Sequence, residues 1–325
     1  MSSSQNVSVF GIGNMGAALA KALLDAGFRL TIWNRTADRP RVTSLTAAGA
    51  VYEADARAAI RRSDGILLFC VVDYDAVYNI LAPLDAAAAG SGQSPGFLAG
   101  KTVVNVTNGT PRQAVAMDAW IRDRGGAAAY IDGSVLVTPE MVATPHSLLV
   151  YSGGGADGDE QAVFDALVRP VVQVLGEPLY LGAAVDAAAA QDLAMLSAMY
   201  GLLQGALIGF GILQRRSSDA DADADAEQQQ QPVAPGTERV TVPIMTALTP
   251  LLTRMARTVD AASWAHNGGN PLAMMLAGID NITEAARDAR VDTDGLAVLA
   301  GGMRRAVEDG HADSDFSVTS RYLLK

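Results

Sequence analysis

The sequence predicts an α/β fold in which an N-terminal domain of alternating strands and helices is joined by one long helix to an all-helical C-terminal domain. Three observations carry this prediction. Strand-like and helix-like segments alternate from residue 7 to about 180, a stretch over 187–214 holds one charged residue and no proline, and helical patterning fills about 240–310. With 325 residues, half of them hydrophobic, the chain is long enough for two domains.

Changes in composition set the expected boundaries. We expect a first domain over 1–182, an inter-domain helix over 183–216, an insertion over 217–237 and a helical domain over 238–325. The insertion alternates Asp with Ala and then carries a glutamine run, which cannot bury apolar surface, so we predict that it is disordered. The candidate strands are Val7–Phe10, Leu30–Trp33, Gly65–Val72, Thr102–Val106, Ala128–Ile131, Ser147–Tyr151 and Leu179–Leu181. We also expect a surface loop at Ala86–Gly100 and helices near 243–264, 271–290 and 293–309.

A glycine-rich turn follows the first strand and opens a helix rich in Ala and Leu. Its residues are Gly11, Ile12, Gly13, Asn14, Met15 and Gly16. Gly11 permits the tight turn, Gly13 lets the backbone approach a pyrophosphate, and Gly16 allows close packing of helix on strand. The helix N-terminus offers free N–H groups to the phosphates. Because a second strand follows at the right distance, we predict a Rossmann-type dinucleotide-binding domain.

The residues after the second strand indicate which dinucleotide binds. An NAD site usually places Asp or Glu there to accept from the ribose 2′-hydroxyl. This chain has Asn34, Arg35 and Thr36 instead. A guanidinium between two small hydrogen-bonding residues suits a 2′-phosphate, so we predict NADP(H) as the cofactor, with an ordinary surface arginine as the alternative.

Composition excludes several classes of function. A formal net charge of −11 argues against a nucleic-acid partner. The single cysteine, Cys70, lies in an apolar run and fits a reducing compartment, and no secretory signal is recognisable, so we expect a cytoplasmic protein. We expect no metal centre, because no metal-ligand spacing occurs, and no catalytic histidine, because each histidine fits a structural role better.

The long helix allows two interpretations. Residues 193–213 form an uncharged stretch that is long enough to span a bilayer. Within it, Gly201, Gly205 and Gly209 form a small-residue stripe along one side of the helix. Gln204 and Ser197 within the run, and the lack of a second span, count against a membrane segment. We predict a helix buried between domains or subunits, since such a helix is also apolar on all sides.

Four polar residues, two on the long helix and two after a strand, are candidates for chemistry. Asp192 and Tyr200 are eight residues apart on the long helix, about 80° apart around its axis and about 12 Å apart along it. Burial would favour the protonated form of Asp192, which would suit a proton donor or a counter-ion for a cation. A helix charge favoured by the dipole and a core tyrosine explain the two residues equally well. Thr107 and Asn108 follow a strand, where they are placed to reach the nicotinamide; the same segment also suits a turn that caps the next helix, and both interpretations can hold together.

Together these segments resemble the imine reductase and reductive aminase family, relatives of the β-hydroxyacid dehydrogenases. The resemblance covers nearly the whole chain except the insertion, and the block from Asp192 to Tyr200 is its most specific mark. The dehydrogenases carry a catalytic lysine at about this point, where this chain has Gln191 and Asp192. The other marks are Gly11 to Gly16, Trp33 to Thr36, Asn105 to Pro111, Asp132 to Ser134, Thr144-Pro145 and Leu276 to Ile282.

The resemblance implies NADPH-dependent reduction of C=N bonds to amines by an intertwined homodimer. It implies that Asp192 binds or protonates the iminium, that Tyr200 is its aromatic partner and that Asn108 lies near the substrate amine. It also implies cofactor contacts at Val71 and Val72. Pocket positions are implied for Leu136, Met274 and Met275.

Two other functions stay open at this point. One is a β-hydroxyacid dehydrogenase-like oxidoreductase acting on C=O or CH–OH groups, against which the missing lysine counts. The other is a non-catalytic NADP(H)-binding protein.

Overall fold

The computed structural model describes residues 5–91, 96–155, 160–215, 231–266 and 268–323. The chain divides into two compact units, Met1–Ser197 and Ala198–Lys325. The first unit is an α/β unit and the second is helical, which confirms the predicted fold class.

An eight-stranded sheet forms the first unit, in the order β3-β2-β1-β4-β5-β6-β7-β8. Neighbouring strands pair in parallel except β6 and β7, which form an antiparallel pair. The strands are β1 Asn6–Phe10, β2 Arg29–Trp33, β3 Val51–Tyr52, β4 Ile66–Phe69, β5 Thr102–Asn105, β6 Ala129–Val135, β7 Leu148–Gly155 and β8 Glu177–Tyr180. The predicted strands are therefore confirmed with shifted ends, while the short β3 and the antiparallel pair were not predicted.

Both faces of the sheet are covered. Val9 and Leu68 belong to one buried cluster, whereas their neighbours Phe10 and Phe69 belong to the other. Successive side chains of a strand point to opposite faces, so a strand buried on both sides is apolar at nearly every position. This explains why the central strands occur in the sequence as continuous apolar runs.

Helices connect the strands of the first unit. They are α1 Asn14–Asp25, α2 Pro40–Ala47, α3 Ala56–Arg62, α4 Tyr74–Ser91, α5 Pro111–Trp120, α6 Glu160–Val163 and α7 Arg169–Val172. The prediction of a loop from Ala86 is wrong, because α4 continues to Ser91. Four successive alanines, the best helix formers, extend this helix into the segment expected to be a loop.

The second unit is helical around a small core of Leu272, Met303, Ala306 and Val318. Its elements are the C-terminal part of α8 Ala187–Arg215, then α9 Ala234–Gly236, α10 Val242–Leu248, α11 Pro250–Asp260, α12 Leu272–Asp288, α13 Asp294–Ala306 and a 3₁₀ segment Phe316–Tyr322. Residues 217–230 of the expected insertion lie outside the described residues. Its end at 234–236 is helical rather than disordered, since Pro235 stands in the first turn of α9, where proline is tolerated.

The long helix α8 is confirmed in extent, but the prediction that it is buried is wrong for the single chain. Tyr200, Leu202 and Leu207 are 62%, 54% and 68% exposed. One face of α8 packs within the second unit, where Gly211 admits Val291 and Gly295 admits Gln204. Other apolar side chains of α8, such as Leu202 and Leu207, stay exposed among the described residues. Among the described residues, α8 is the one helix that is long and apolar enough to cross a membrane.

Candidate active site

The glycine turn between β1 and α1 is built by contacts of its own backbone. Gly11 has φ +95°, and a Cβ there would collide with the carbonyl oxygen of Cys70. A Cβ on Gly16 would collide with the carbonyl oxygen of Gly11. Gly13 differs, because a Cβ there would meet no described atom within 4 Å. The chain itself therefore requires glycine at 11 and 16 and leaves open space beside 13.

This open space fits a dinucleotide pyrophosphate. Gly13 is the N-cap of α1, and no side chain caps this helix or places an acid in its first turn. The first N–H groups and the positive end of the helix dipole are thus available to an anion. Gly13, Asn14 and Met15 are the residues that would hold the phosphates.

A matched pair of glycine variants separates folding from cofactor binding. Gly16→Ala is expected to lower the free energy of unfolding by about 1–3 kcal/mol, because the added methyl overlaps backbone. Gly13→Ala is expected to leave the melting temperature unchanged and to weaken NADPH binding about tenfold, because its methyl occupies the open space. Thermal melting and fluorescence titration with NADPH measure the two effects. Equal NADPH affinity in Gly13→Ala and the wild type would contradict this placement of the pyrophosphate.

The loop after β2 is held by the side chain of Asn34. Its Oδ1 accepts from the Ile12 N–H at 3.0 Å, and its Nδ2 donates to the Thr36 carbonyl at 2.7 Å. The Tyr52 hydroxyl donates to the Asn34 carbonyl at 3.2 Å. Asn34 was predicted as a cofactor-binding residue. In the structure both ends of its side-chain amide bind backbone groups and join the glycine turn to the loop that carries Arg35.

An arginine patch, defined as Arg35, Arg39 and Arg41, lies in this loop and at the start of α2. All three side chains are exposed. Within the described part of the chain none of them forms an ion pair. The patch therefore has charge available for a 2′-phosphate. Sequence reasoning identified Arg35 and missed Arg39, which is the N-cap residue of α2. The available signal for Arg39 was its position four residues after Arg35.

The carboxyl ends of β1, β4 and β5 lie side by side at one edge of the sheet. Between β1 and β4 the strand order reverses, because β2 and β3 follow on one side and β5 on the other. The Val71 N–H after β4 donates to Thr107 Oγ1 after β5 at 3.2 Å. Val72 beside it is 83% exposed. Ligands of open α/β sheets bind beyond the carboxyl ends of the strands at such a reversal. Val71, Val72 and Thr107 lie at this edge of the sheet, and their contact with a cofactor stays a prediction.

Asn108 and Asp192 meet at this edge although 84 positions separate them. Asn108 Nδ2 donates to Asp192 Oδ2 at 2.8 Å, and Asp192 is 5% exposed. The start of α8 is held against the sheet by Ser152, whose Oγ accepts from the Ala188 N–H and donates to the Val185 carbonyl. The structure thus pairs two of the three predicted catalytic side chains.

The other predicted residues lie elsewhere. Leu136 is partly buried just beyond β6, within the first unit. Tyr200 and Met274 belong to the second unit and are exposed, and Met275 packs against the core of that unit.

Sequence reasoning missed a buried polar cluster around Asp132 on β6. Asp132 is 1% exposed and accepts from the hydroxyls of Tyr74 and Tyr130. Burial is the largest cause that raises the pKa of Asp132 to about 7; the nearby charge of Asp192 also raises it, whereas the two tyrosine hydroxyls lower it. An aspartate inside an apolar strand, two residues after Tyr130, was the available signal, but the second partner, Tyr74, is 58 positions away.

Comparison with known proteins finds relatives for both parts of the chain. Residues 185–325 match the family described as NADPH-dependent reductive aminase-like, C-terminal domain, and residues 6–176 match the NAD binding domain of 6-phosphogluconate dehydrogenase. The NADPH-dependent reductive aminase of Aspergillus oryzae is 30% identical over 98% of this chain and 97% of its own length.

Solved structures show the same relationship. The reductive aminase from Aspergillus terreus in complex with NADPH and ethyl levulinate superposes with a TM-score of 0.81 and 32% identity, covering 99% of this chain and 100% of that one. The imine reductase from Myxococcus stipitatus in complex with NADP+ superposes with a TM-score of 0.79 and 27% identity, covering 98% and 100%. On its sequence and its fold, this chain belongs to the family of NADPH-dependent reductive aminases and imine reductases.

Proposed function

We propose that this chain reduces imines and iminium ions to amines with NADPH and that it accepts a ketone or aldehyde together with an amine. The observation that carries the proposal is the Asn108–Asp192 pair at the carboxyl edge of the sheet, beside the uncapped glycine turn. NADPH supplies a hydride to the C=N carbon when it is bound.

The residues of the chain have separate roles in this proposal. Asp192 stabilises the positive charge of a protonated C=N group, which is the electrophilic form, and the buried position of its carboxylate strengthens that attraction. Asn108 holds the carboxylate and faces the substrate amine with its exposed side. The arginine patch binds the 2′-phosphate. Tyr200, Leu136, Met274 and Met275 are proposed pocket residues.

The test is NADPH oxidation by the purified protein with three substrates offered separately. These are a small cyclic imine, a ketone with an amine, and a 3-hydroxy acid with NADP+. We expect turnover of the imine with NADPH and much slower turnover with NADH. Activity on the hydroxy acid alone would favour the dehydrogenase function, and NADPH binding without any turnover would favour a binding protein.

We also propose that the active form is a homodimer. Exposed apolar side chains on α8 and α10, among them Leu202, Leu207 and Ile244, support this, because apolar surface of this kind usually marks an interface. The family resemblance implies the same intertwined arrangement.

The dimer proposal predicts a change of oligomeric state. Leu207→Glu is expected to convert a dimer into a monomer in light scattering coupled to gel filtration, since it places a charge on a 68% exposed apolar position. Leu179→Glu is the matched control and should remain dimeric, since Leu179 is 48% exposed and lies on the edge strand β8. A wild-type monomer at micromolar concentration would refute the proposal.

A cytoplasmic location is proposed on the acidic net charge and on the buried, unpaired Cys70. Membrane fractionation tests it, because α8 satisfies the length and apolarity of a span. Recovery of the protein with the membranes would indicate that α8 is a membrane anchor and not a dimer interface.

A further inference from the structure

We infer that Asp132 is a positioning residue for the Asn108–Asp192 pair, acting through Tyr74 and Tyr130 on the loop Thr107–Gly109. The inference rests on the proposed function for its kinetic consequences, whereas its structural consequence can be tested without turnover. Asp132 touches neither Asn108 nor Asp192 in any hydrogen bond of the described residues, so its influence travels through the two tyrosines.

The first connection runs through Tyr74 at the start of α4. Its hydroxyl donates to Asp132 Oδ1, and its side chain is 1% exposed. The ring lies directly beneath Gly109, because a Cβ on Gly109 would collide with it. Asp132 therefore fixes the ring on which the backbone after Asn108 is packed.

The second connection runs through Tyr130 on β6. Its hydroxyl donates to Asp132 Oδ1 at 3.0 Å and accepts from Asn105 Nδ2 at 3.0 Å. Asn105 Oδ1 in turn accepts from the Thr107 N–H at 3.2 Å. Asp132 thus supports Thr107 through Tyr130 and Asn105, and Gly109 through Tyr74. This support on both sides of Asn108 accounts for the position of its amide against Asp192.

The charge of Asp132 adds a signature that a merely space-filling residue lacks. The groups facing it are Tyr74 from α4, Tyr130 from its own strand, Asp118 from α5 and Asp192 from α8, and none of them is a cation. Desolvation raises the pKa of Asp132 to about 7, so the group changes its charge within the usual assay range. A carboxylate accepts from two hydroxyls more strongly than a carboxylic acid does. We therefore expect kcat to rise with pH through an inflection near 7.

The variants for the test are Tyr74→Phe, Tyr130→Phe and Asp132→Asn. Each phenylalanine removes one connection and is expected to lower kcat about tenfold while the Kd of NADPH stays within about twofold. Asp132→Asn keeps an oxygen that accepts from both hydroxyls. It is expected to lose the inflection near pH 7 and to show at every pH a kcat close to the low-pH value of the wild type, because its amide is uncharged like the carboxylic acid.

Tyr151→Phe is the matched control. Tyr151 is a fully buried tyrosine on the neighbouring strand β7, and its hydroxyl has no hydrogen-bond partner in the described part of the chain. Its kcat and pH profile should equal those of the wild type. Unchanged kcat in both phenylalanine variants, or an inflection that persists in Asp132→Asn, would overturn the inference.

A crystal structure of Tyr74→Phe separates this inference from the proposed function. The Asn108 Nδ2 to Asp192 Oδ2 distance, 2.8 Å in the wild type, should lengthen beyond about 3.5 Å or the Asn108 side chain should adopt several rotamers. An unmoved Asn108 would refute the inference whether or not any imine is turned over. Lack of wild-type turnover would refute only the proposed function.

Discussion

Asp192→Asn is expected to lower kcat/KM for imine reduction by about 100-fold or more, with NADPH affinity within about twofold of the wild type. The amide keeps the size of the side chain and an oxygen that accepts from Asn108, but it removes the negative charge that offsets a protonated C=N group. Because Asp192 is 5% exposed, little water screens the lost attraction. Steady-state kinetics with a cyclic imine and a separate NADPH titration measure the two quantities.

Asp186→Asn is the matched control for this prediction. Asp186 precedes α8, and its carbonyl accepts from the Ala190 N–H in the first turn of the helix. A role of Asp192 limited to a favourable charge near the helix N-terminus would give both variants the same small loss of stability and little change in turnover. Equal kinetic losses in kcat and in NADPH affinity for Asp192→Asn would likewise contradict its proposed role toward the substrate.

Arg35→Ala is expected to raise the KM for NADPH about 30-fold and to leave the KM for NADH within about twofold. A charge-assisted hydrogen bond to a phosphate contributes about 1.5–3 kcal/mol, and NADH has no 2′-phosphate with which to form it. Parallel titrations of both cofactors with one imine measure the change in preference. The kcat at saturating NADPH should stay near the wild-type value, because Arg35 is remote from the reacting carbon in this assignment.

Arg61→Ala provides the control for a general loss of positive charge. Arg61 is an exposed arginine in the last turn of α3 and forms no ion pair among the described residues. Its KM values for NADPH and NADH should both match the wild type. A rise in both KM values for Arg35→Ala would show that the arginine orders its loop instead of recognising the 2′-phosphate. Unchanged values would transfer that role to Arg39.

Much of the fold was predictable because its signals are local. The strands β1 and β4 are continuous apolar runs since both of their faces are buried, and a run of that kind is visible without any knowledge of partners. The prediction of a loop from Ala86 was wrong for an equally local reason. It gave more weight to the Gly, Ser and Pro residues that follow than to the helix-forming run of alanines. The antiparallel pairing of β7 with β6 has no comparable signal, because strand direction depends on the path of the chain between them.

The sequence by itself determined the glycine turn, the absence of an acid after β2, the pairing of an α/β unit with a helical one, and the candidate residues Asn108 and Asp192. These follow from backbone geometry, from charge and from periodicity, which act over a few neighbouring residues. Only the tertiary structure decided that Asn108 donates to Asp192, that Asn34 binds the backbone of its own chain, and that Asp132 supports the loop between them through two tyrosines. Apart from the contact between Tyr130 and Asp132 on one strand, the hydrogen bonds of Asn34 with Ile12, of Tyr74 with Asp132 and of Asn108 with Asp192 join residues 22, 58 and 84 positions apart. Sequence spacing carries no information about such pairs, because their distance is set by how the strands and helices pack.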